Sequence, residues 1–411
     1  MRRILLALPA FLLGLFPSPP GVSAQFTLYE EGKTNLQVGG YVRSLTQLYD
    51  PGYDIPTVEE RRTGIHAEVL RLKWKLELGE SVILEAHNRL QAQLSSSELG
   101  FGESAVGFGV SVIPGRRWEL SSELVDQERL RVWHDIDRLS LTWYSELADV
   151  TAGRQAITWG ISTLYPVADL WAQFSPFELD TEEKPGIDAV RILNYPTGGL
   201  ELDAVVADRG SSRNFSAGIR ASLSLPWADL YAGGGKFWRE VMGLAGISAP
   251  VGSYKLRAEG ALPYDLDADD FRLPRITLGV DWLGGETMLS AEYNFNGIGA
   301  TEAQGYTDVL EDPRYAQGET YFLGRHNLGG VASWTPGNDR LSLVLTGLMN
   351  LLDPSAALVP GLTYDFGQET RVSAGALVSF GDTPLFDPDP RFRSEFGTYG
   401  DFVYAMLSVY F

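Results

Sequence analysis

SVILEAHNRLQAQLS, residues 81–95, decides the fold. Val82, Leu84, Ala86, Leu90, Ala92 and Leu94 fall on one face, with Asn88 the single break, and Glu85, His87, Arg89, Gln91 and Gln93 fall on the other. A period of two sustained this long marks a strand whose faces meet different surroundings. Length decides between settings: soluble strands typically run about 5–6 residues, whereas a tilted strand that crosses a membrane needs roughly 9–11.

The design repeats in both directions. Leu70, Leu72, Trp74, Leu76 and Leu78 oppose Arg71, Lys73, Lys75 and Glu77; Ala217, Ile219, Ala221 and Leu223 oppose Ser216, Arg220 and Ser222; Leu256, Ala258 and Leu262 oppose Lys255, Arg257 and Glu259. Periodicity and turn residues together place strands at 34–48, 64–78, 81–95, 136–145, 149–159, 187–196, 199–208, 215–225, 228–237, 240–249, 253–262, 274–283, 287–296, 327–335, 339–351, 356–366, 369–380 and 398–411. That is eighteen strands, or sixteen if the region 228–249 holds a false one. Tight turns such as Gly79-Glu80, Thr197-Gly198, Pro226-Trp227 and Gly367-Gln368 alternate with longer segments at 49–63, 96–135, 160–186, 263–273, 297–326 and 381–397. Short turns at one end and long loops at the other are the pattern of an up-and-down barrel in an outer membrane. An even strand count leaves both termini on the short-turn, periplasmic side. Trp143, Tyr144, Trp159, Tyr195, Trp227, Trp238, Tyr254 and Trp334 lie towards strand ends, as interface girdles require, although some must be packing residues inside.

The termini agree. Met1-Arg2-Arg3, an apolar run from Ile4 to Phe16 and small residues at Val22-Ser23-Ala24 form a cleavable export signal over residues 1–24, leaving a single barrel over 25–411. At the other end Val403, Ala405, Leu407, Val409 and Phe411 alternate to the last residue. A terminal aromatic strand resembles the closing strand of bacterial outer-membrane barrels, whose final Phe, here Phe411, is read by the barrel assembly machinery.

Composition narrows the chemistry. The chain has no cysteine, which excludes disulfide staples and thiolate sites. Its formal net charge is −20, and loss of Arg2 and Arg3 from the 33 basic residues leaves 31 against 53 acidic ones. Nucleic acid is therefore not an expected partner, since phosphate neutralisation needs an excess of Lys and Arg. Lipid, lipopolysaccharide and small polar solutes are the expected ones; oligomeric state is open. The acidic run Asp265-Leu266-Asp267-Ala268-Asp269-Asp270 suits divalent-cation bridging to lipopolysaccharide, but it lacks the Gly and terminal Glu of a calcium loop, so no metal site or cofactor is expected.

The most distinctive stretch begins at Gly153-Arg154-Gln155 and Trp159-Gly160, continues through Pro166-Val167-Ala168-Asp169-Leu170, and ends at Glu183-Lys184-Pro185-Gly186-Ile187-Asp188-Ala189. It resembles a group of porin-like outer-membrane proteins similar in architecture to the alginate-export and basic-amino-acid or aromatic-acid porins. The resemblance implies a monomeric or loosely oligomeric barrel of roughly 16–18 strands and leaves the solute unassigned. Read from its own residues, the loop in this stretch mixes Asp169, Glu178, Asp180, Glu182, Glu183 and Lys184 with Trp171, Phe174 and Phe177. A segment so charged and so aromatic is suited to fold inward, rings on the wall and carboxylates towards Arg154 and Arg191. Opposed charges there would form a constriction that sets ion preference; equally, they would simply pin the loop. Arg71, Lys73, Lys75 and Arg89, with Arg220, Lys255 and Arg257 across the lumen, form a basic ladder that either draws anions or pairs with Glu77, Glu85 and Glu259. Gly153 and Gly160 are read as structural, where the wall bends and the loop departs.

Catalysis is not expected. Only His66, His87, His134 and His326 are available as bases, and no Gly-x-Ser-x-Gly or His-Glu-x-x-His motif is present. The sequence thus predicts an all-β transmembrane antiparallel barrel that acts as a pore for small polar solutes. The alternatives are a scaffold for an exporter or lipoprotein complex and an outer-membrane hydrolase.

Overall fold

The computed structural model describes residues 25–55, 61–97, 115–337, 340–386 and 390–411. The expected export signal, residues 1–24, lies outside the described residues.

Eighteen strands make the wall: β1 (Thr34–Asp50), β2 (Thr63–Leu78), β3 (Val82–Ser95), β4 (Leu130–Tyr144), β5 (Asp149–Gln155), β6 (Ile187–Thr197), β7 (Leu200–Ala207), β8 (Ser216–Leu225), β9 (Ala228–Phe237), β10 (Glu240–Val251), β11 (Tyr254–Asp265), β12 (Arg275–Gly284), β13 (Thr287–Phe295), β14 (His326–Trp334), β15 (Leu341–Asn350), β16 (Ser355–Asp365), β17 (Thr370–Phe380) and β18 (Asp401–Tyr410). Each pairs antiparallel with the next. β18 also pairs with β1, from Tyr41 opposite Tyr410 to Asp50 opposite Asp401, so the sheet closes and has no free edge. The region 228–249, where a false strand would have reduced the count, holds β9 and β10 in unbroken register from Asp229–Ser248 to Phe237–Glu240.

Two flanking strands were not legible in the alternation. Gln25–Glu31 folds back on the start of β1, and Ser121–Gln127 extends the long-loop side of β4. Conversely, the strand expected over 149–159 ends at Gln155. Beyond that point Ile157 and Trp159 leave the wall and bury themselves inside.

Period-two patterning sorts the side chains as the sequence requires. Leu139, Leu141, Trp143, Ile219, Leu256, Leu278, Leu289, Leu345 and Val403 stand exposed on the outer surface, while Arg43, Gln47, Arg71, Asp203, Glu292 and Ser408 are buried inside. Of the aromatic residues near strand ends, Trp143, Tyr144, Tyr195, Trp227, Tyr254 and Trp334 are exposed outside; Trp159 and Trp238 instead belong to a core within the barrel. That core joins Trp159, Trp171, Phe237 and Met242. A second cluster gathers Tyr165, Phe177, Phe322, Phe396 and Phe402. Loops from the long-connection end therefore fill part of the lumen. No helix among the described residues is long and apolar enough to cross a membrane, which says nothing of a barrel.

Candidate functional site

The segment 156–186 enters the barrel and makes a circuit of its inner wall. Its departure is set by Gly153, whose φ of 118° favours glycine and whose Cβ position would be filled by the Leu139 carbonyl across the ladder. Gly160 permits the next bend, since a Cβ there would lie 2.9 Å from that of Pro166. Trp159 then donates from its indole to Asp203 of β7 at 2.8 Å and meets Trp171 edge-on, with ring centres 5.0 Å apart. Gly218 of β8 leaves room for this ring; a Cβ there would lie 2.9 Å from it.

Wall carboxylates hold the next part of the circuit by its backbone. Glu259 of β11 accepts the Ile161 N–H at 2.7 Å. Glu292 of β13 accepts three in succession, from Thr163 at 2.6 Å, Leu164 at 2.9 Å and Tyr165 at 3.1 Å. Arg257 pairs with Glu292 at 2.8 Å and donates to the Ile161 carbonyl, and Thr277 donates to the Tyr165 carbonyl. These contacts satisfy backbone groups that burial would otherwise leave unpaired.

The return path carries the charges. Lys184 donates to Asp169 at 2.5 Å and to the Ile157 carbonyl at 2.6 Å, tying the two ends of the loop together. Burial pushes the Asp169 carboxyl up and the Lys184 amine down, each held back by the other's charge. Phe177 packs on Tyr399 with ring centres 4.6 Å apart. Asp180 then pairs with Arg43 of β1, and Glu182 lies 2.5 Å from the same guanidinium and accepts from the Tyr410 hydroxyl at 2.9 Å. Glu183 pairs with Lys73 of β2. Burial opposes ionisation of Asp180 and Glu183, but Arg43 and Lys73 respectively hold both carboxyls below their usual range.

The inward fold and its aromatic anchors match the expectation; the arginine partners do not. Arg154 is 1% exposed and pairs with Asp188, its cross-strand neighbour on β6, at 2.8 Å. Arg191 pairs with Asp203 of the adjacent β7 at 2.7 Å. Each wall arginine has a wall carboxylate within a strand spacing, so neither is left to meet the loop. The Glu178 N–H donates to the Ser175 carbonyl, closing a turn.

The basic ladder is mostly neutralised. Arg71 pairs with Asp137 at the β-bulge of β4, Lys75 with Glu77 at 2.7 Å, Arg220 with Glu201 at 3.0 Å, and Arg257 with Asp281 at 2.6 Å as well as Glu292. Arg89 contacts Gln91, and Lys255 stands exposed. Of the three carboxylates expected to serve the ladder, Glu77 does so, and Glu259 turns instead to the loop backbone and the Tyr231 hydroxyl. A cavity of about 200 Å³ beside the returning end of the loop is lined by Gln37, Lys73, Lys75, Glu85, His87 and Glu183. Among the described residues no three His, Asp or Glu side chains converge on a metal position. Phe411 lies against Gly40 of β1, the two backbones exchanging hydrogen bonds of 2.8 and 3.0 Å.

Arg43 and Glu292 were not singled out from sequence, and Glu259 only as a partner for the basic ladder. The available signal was their place on the polar face of an alternating strand. Nothing local distinguishes a carboxylate that meets water from one that meets a loop 128 positions away.

No family model and no curated protein matches the chain by sequence. Solved structures do share its fold. OccAB2 of Acinetobacter baumannii is 9% identical with a TM-score of 0.58, over 91% of this chain and 98% of that one. OccK9 (OpdG) of Pseudomonas aeruginosa is 10% identical with a TM-score of 0.55, over 92% and 98%. A BenF-like porin from Pseudomonas fluorescens Pf-5 is 11% identical with a TM-score of 0.53, over 92% and 98%. At such identities the likeness speaks for the barrel architecture.

Proposed function

We propose that the protein is an outer-membrane channel for passive movement of small polar solutes. The carrying observation is a closed wall, apolar outside and polar within, whose lumen is narrowed by a loop fixed around its inner circumference. Dozens of exposed Leu, Val, Ile and Trp side chains cover the outer surface, far beyond the patches a soluble monomer exposes. Lipid is the surrounding that suits them. The likeness to a BenF-like porin supports the same reading.

Within the lumen we place the selective constriction at Asp180, Glu182 and Glu183 against Arg43, Arg71 and Lys73. Charges of both signs across a narrow passage orient dipolar solutes and set ion preference. Arg154 and Arg191, held by Asp188 and Asp203, act as wall fasteners. The narrower kinship with alginate-export-like porins rests on the 153–189 motif alone. We also place both termini in the periplasm, with Phe411 as the assembly signal and the acidic long loops facing lipopolysaccharide. No catalytic role is assigned.

Swelling of protein-loaded liposomes in iso-osmotic sugars, amino acids and organic acids tests this function. Rates that exceed those of empty liposomes and fall with solute size are expected. Rates equal to empty liposomes for every solute, from protein shown to be folded, would reject it.

A further inference from the structure

The long connection between β13 and β14 turns back against the inward segment before it rejoins the wall. After the short helices Tyr306–Glu311 and Pro313–Ala316, residues 319–322 line a shared cavity with Leu164 to Val167 and with Gln173 and Phe174. The Tyr321 hydroxyl donates to the Gln173 carbonyl at 3.1 Å, and the Phe322 and Tyr165 ring centres lie 4.7 Å apart. Phe322 also joins the buried cluster of Phe177, Phe396 and Phe402. The stretch 319–324 thus lies against the segment that narrows the lumen.

A buried carboxyl fastens each end of this stretch. At its start, the Glu319 side chain is 3% exposed. Arg275 of β12 stands 3.0 Å from its Oε2, yet neither oxygen accepts a hydrogen bond. At its end, Glu395 accepts the Leu323 and Gly324 N–H groups at 2.7 and 3.0 Å and the Asn350 amide at 2.8 Å.

Neither carboxyl has a cation to itself. Glu319 shares its surroundings with a second buried acid, Glu240 of β10, and with Asp312 of its own connection. Arg314 divides its guanidinium between these two, at 3.5 Å from Glu240 and 2.6 Å from Asp312. Arg209 is near but is held by the Leu170 and Trp171 carbonyls, and Asp265, opposite Glu240, is taken by Arg272. Glu395 faces Asp353, to which its own N–H donates, and the Tyr165 and Tyr399 hydroxyls. Arg393 and Asp382 of its own loop pair with each other at the surface.

A carboxylate buried with so little compensation is better accommodated as the neutral acid. Burial pushes both carboxyls up to about 7, against Arg275 at Glu319 and the N–H donors at Glu395. The cavity that Glu319 lines, about 20 Å³, has room for a water to carry its proton.

We propose that residues 319–324 form an acid-closed lid: protons on Glu319 and Glu395 hold it against the inward segment, and their loss lets it lift and widen the passage. The effect on current rests on the channel reading; the movement itself does not. In the lifted state both carboxyls meet water and return to the ordinary carboxylate range, so the closed state binds the protons more tightly. Closure is then fully supported in acid and weakens as pH rises through 7.

Between pH 5.5 and 8.5 the opening equilibrium should shift by roughly 30-fold for each carboxyl. In planar bilayers the unaltered protein should therefore spend more time at its larger conductance at pH 8.5. Exchange at the Glu319, Phe322 and Leu323 amides, corrected for its intrinsic pH dependence, should accelerate in parallel. Glu319→Gln with Glu395→Gln keeps neutral side chains with an acceptor oxygen and should stay closed and protected at both pH values. Either single change should remove about half of the shift on a logarithmic scale, which serves if the double variant loses its heat-modifiable mobility. His87 and Glu183 are untouched by these changes, so pH dependence that arises at the constriction would persist in them. Equal exchange at both pH values in the unaltered protein overturns the lid, as do variants that open with pH as the unaltered protein does. Current that rises with pH without faster exchange also overturns it. Electrical silence with accelerated exchange rejects the channel reading and keeps the lid.

Discussion

Glu292 accepts three consecutive loop N–H groups and an arginine while essentially fully buried. Glu292→Ala should therefore release the loop from β13 and leave Arg257 with Asp281 as its one carboxylate, a change worth up to about 3–5 kcal/mol when a buried pair loses one partner. Hydrogen exchange at the Thr163, Leu164 and Tyr165 amides should accelerate, and single-channel conductance should rise; protection equal to the unaltered protein would show that the carboxylate does not hold the segment. Arg43 offers a contrasting prediction. Arg43→Ala with Lys73→Ala leaves Asp180, Glu182 and Glu183 short of countercharge, so the reversal potential in a salt gradient should move towards the cation equilibrium value. Arg154→Ala with Arg191→Ala should lower stability with little change in that potential, because both are committed to Asp188 and Asp203. Sequence could identify which of these residues face the lumen, since alternation fixes the side of the wall. It could not pair them. Arg43 and Glu182 are 139 positions apart, and their meeting depends on how far the loop travels around the circumference.

Elements were more legible than contacts, for a physical reason. A strand with an apolar surrounding on one face and a polar lumen on the other writes its position in every second residue, as β2 and β3 do; β9 and β10, rich in glycine, carry the pattern faintly, and 228–249 was where the count stood in question. Gln25–Glu31 and Ser121–Gln127 lack that contrast: each lies beside the regular wall, and Leu28 and Leu124 are exposed. The inward course of 156–186 was legible from its mixture of rings and charges. The loop 381–400 was not, although its Glu395 is completely buried. There the carboxylate accepts from the Leu323 and Gly324 N–H groups and from Asn350, while its own N–H donates to Asp353. Burial pushes the Glu395 carboxyl up to about 7, against those N–H donors. A raised acid pKa means that the unfolded chain gives up this proton first as pH rises. The contribution of Glu395 to stability is then whole below its unfolded value and declines through pH 7, by about 3 kcal/mol in total. Protection of the Leu323 and Gly324 amides should be greater at pH 5 than at pH 8, and Glu395→Gln should flatten that dependence. Equal protection at both pH values would remove Glu395 as the titrating latch.

At the scale of the whole molecule, closure gives every strand two partners and turns a chain of moderate hydropathy into a lipid-compatible surface. The cost falls on the lumen, where carboxylates and guanidinium groups removed from water must find one another or a backbone. Arg154 with Asp188, Arg257 with Glu292 and Arg275 with Glu319 are all almost fully buried pairs of this kind. The overall plan thus follows from alternation, while the width of the passage is decided by loops that fold back into it. Single-channel recording in a planar bilayer measures that passage directly. Refolded, heat-modifiable protein should produce discrete conductance steps that grow when Glu292 is replaced by Ala. Electrical silence from barrels shown to be folded and inserted would contradict the channel account and favour a scaffold whose lumen is filled.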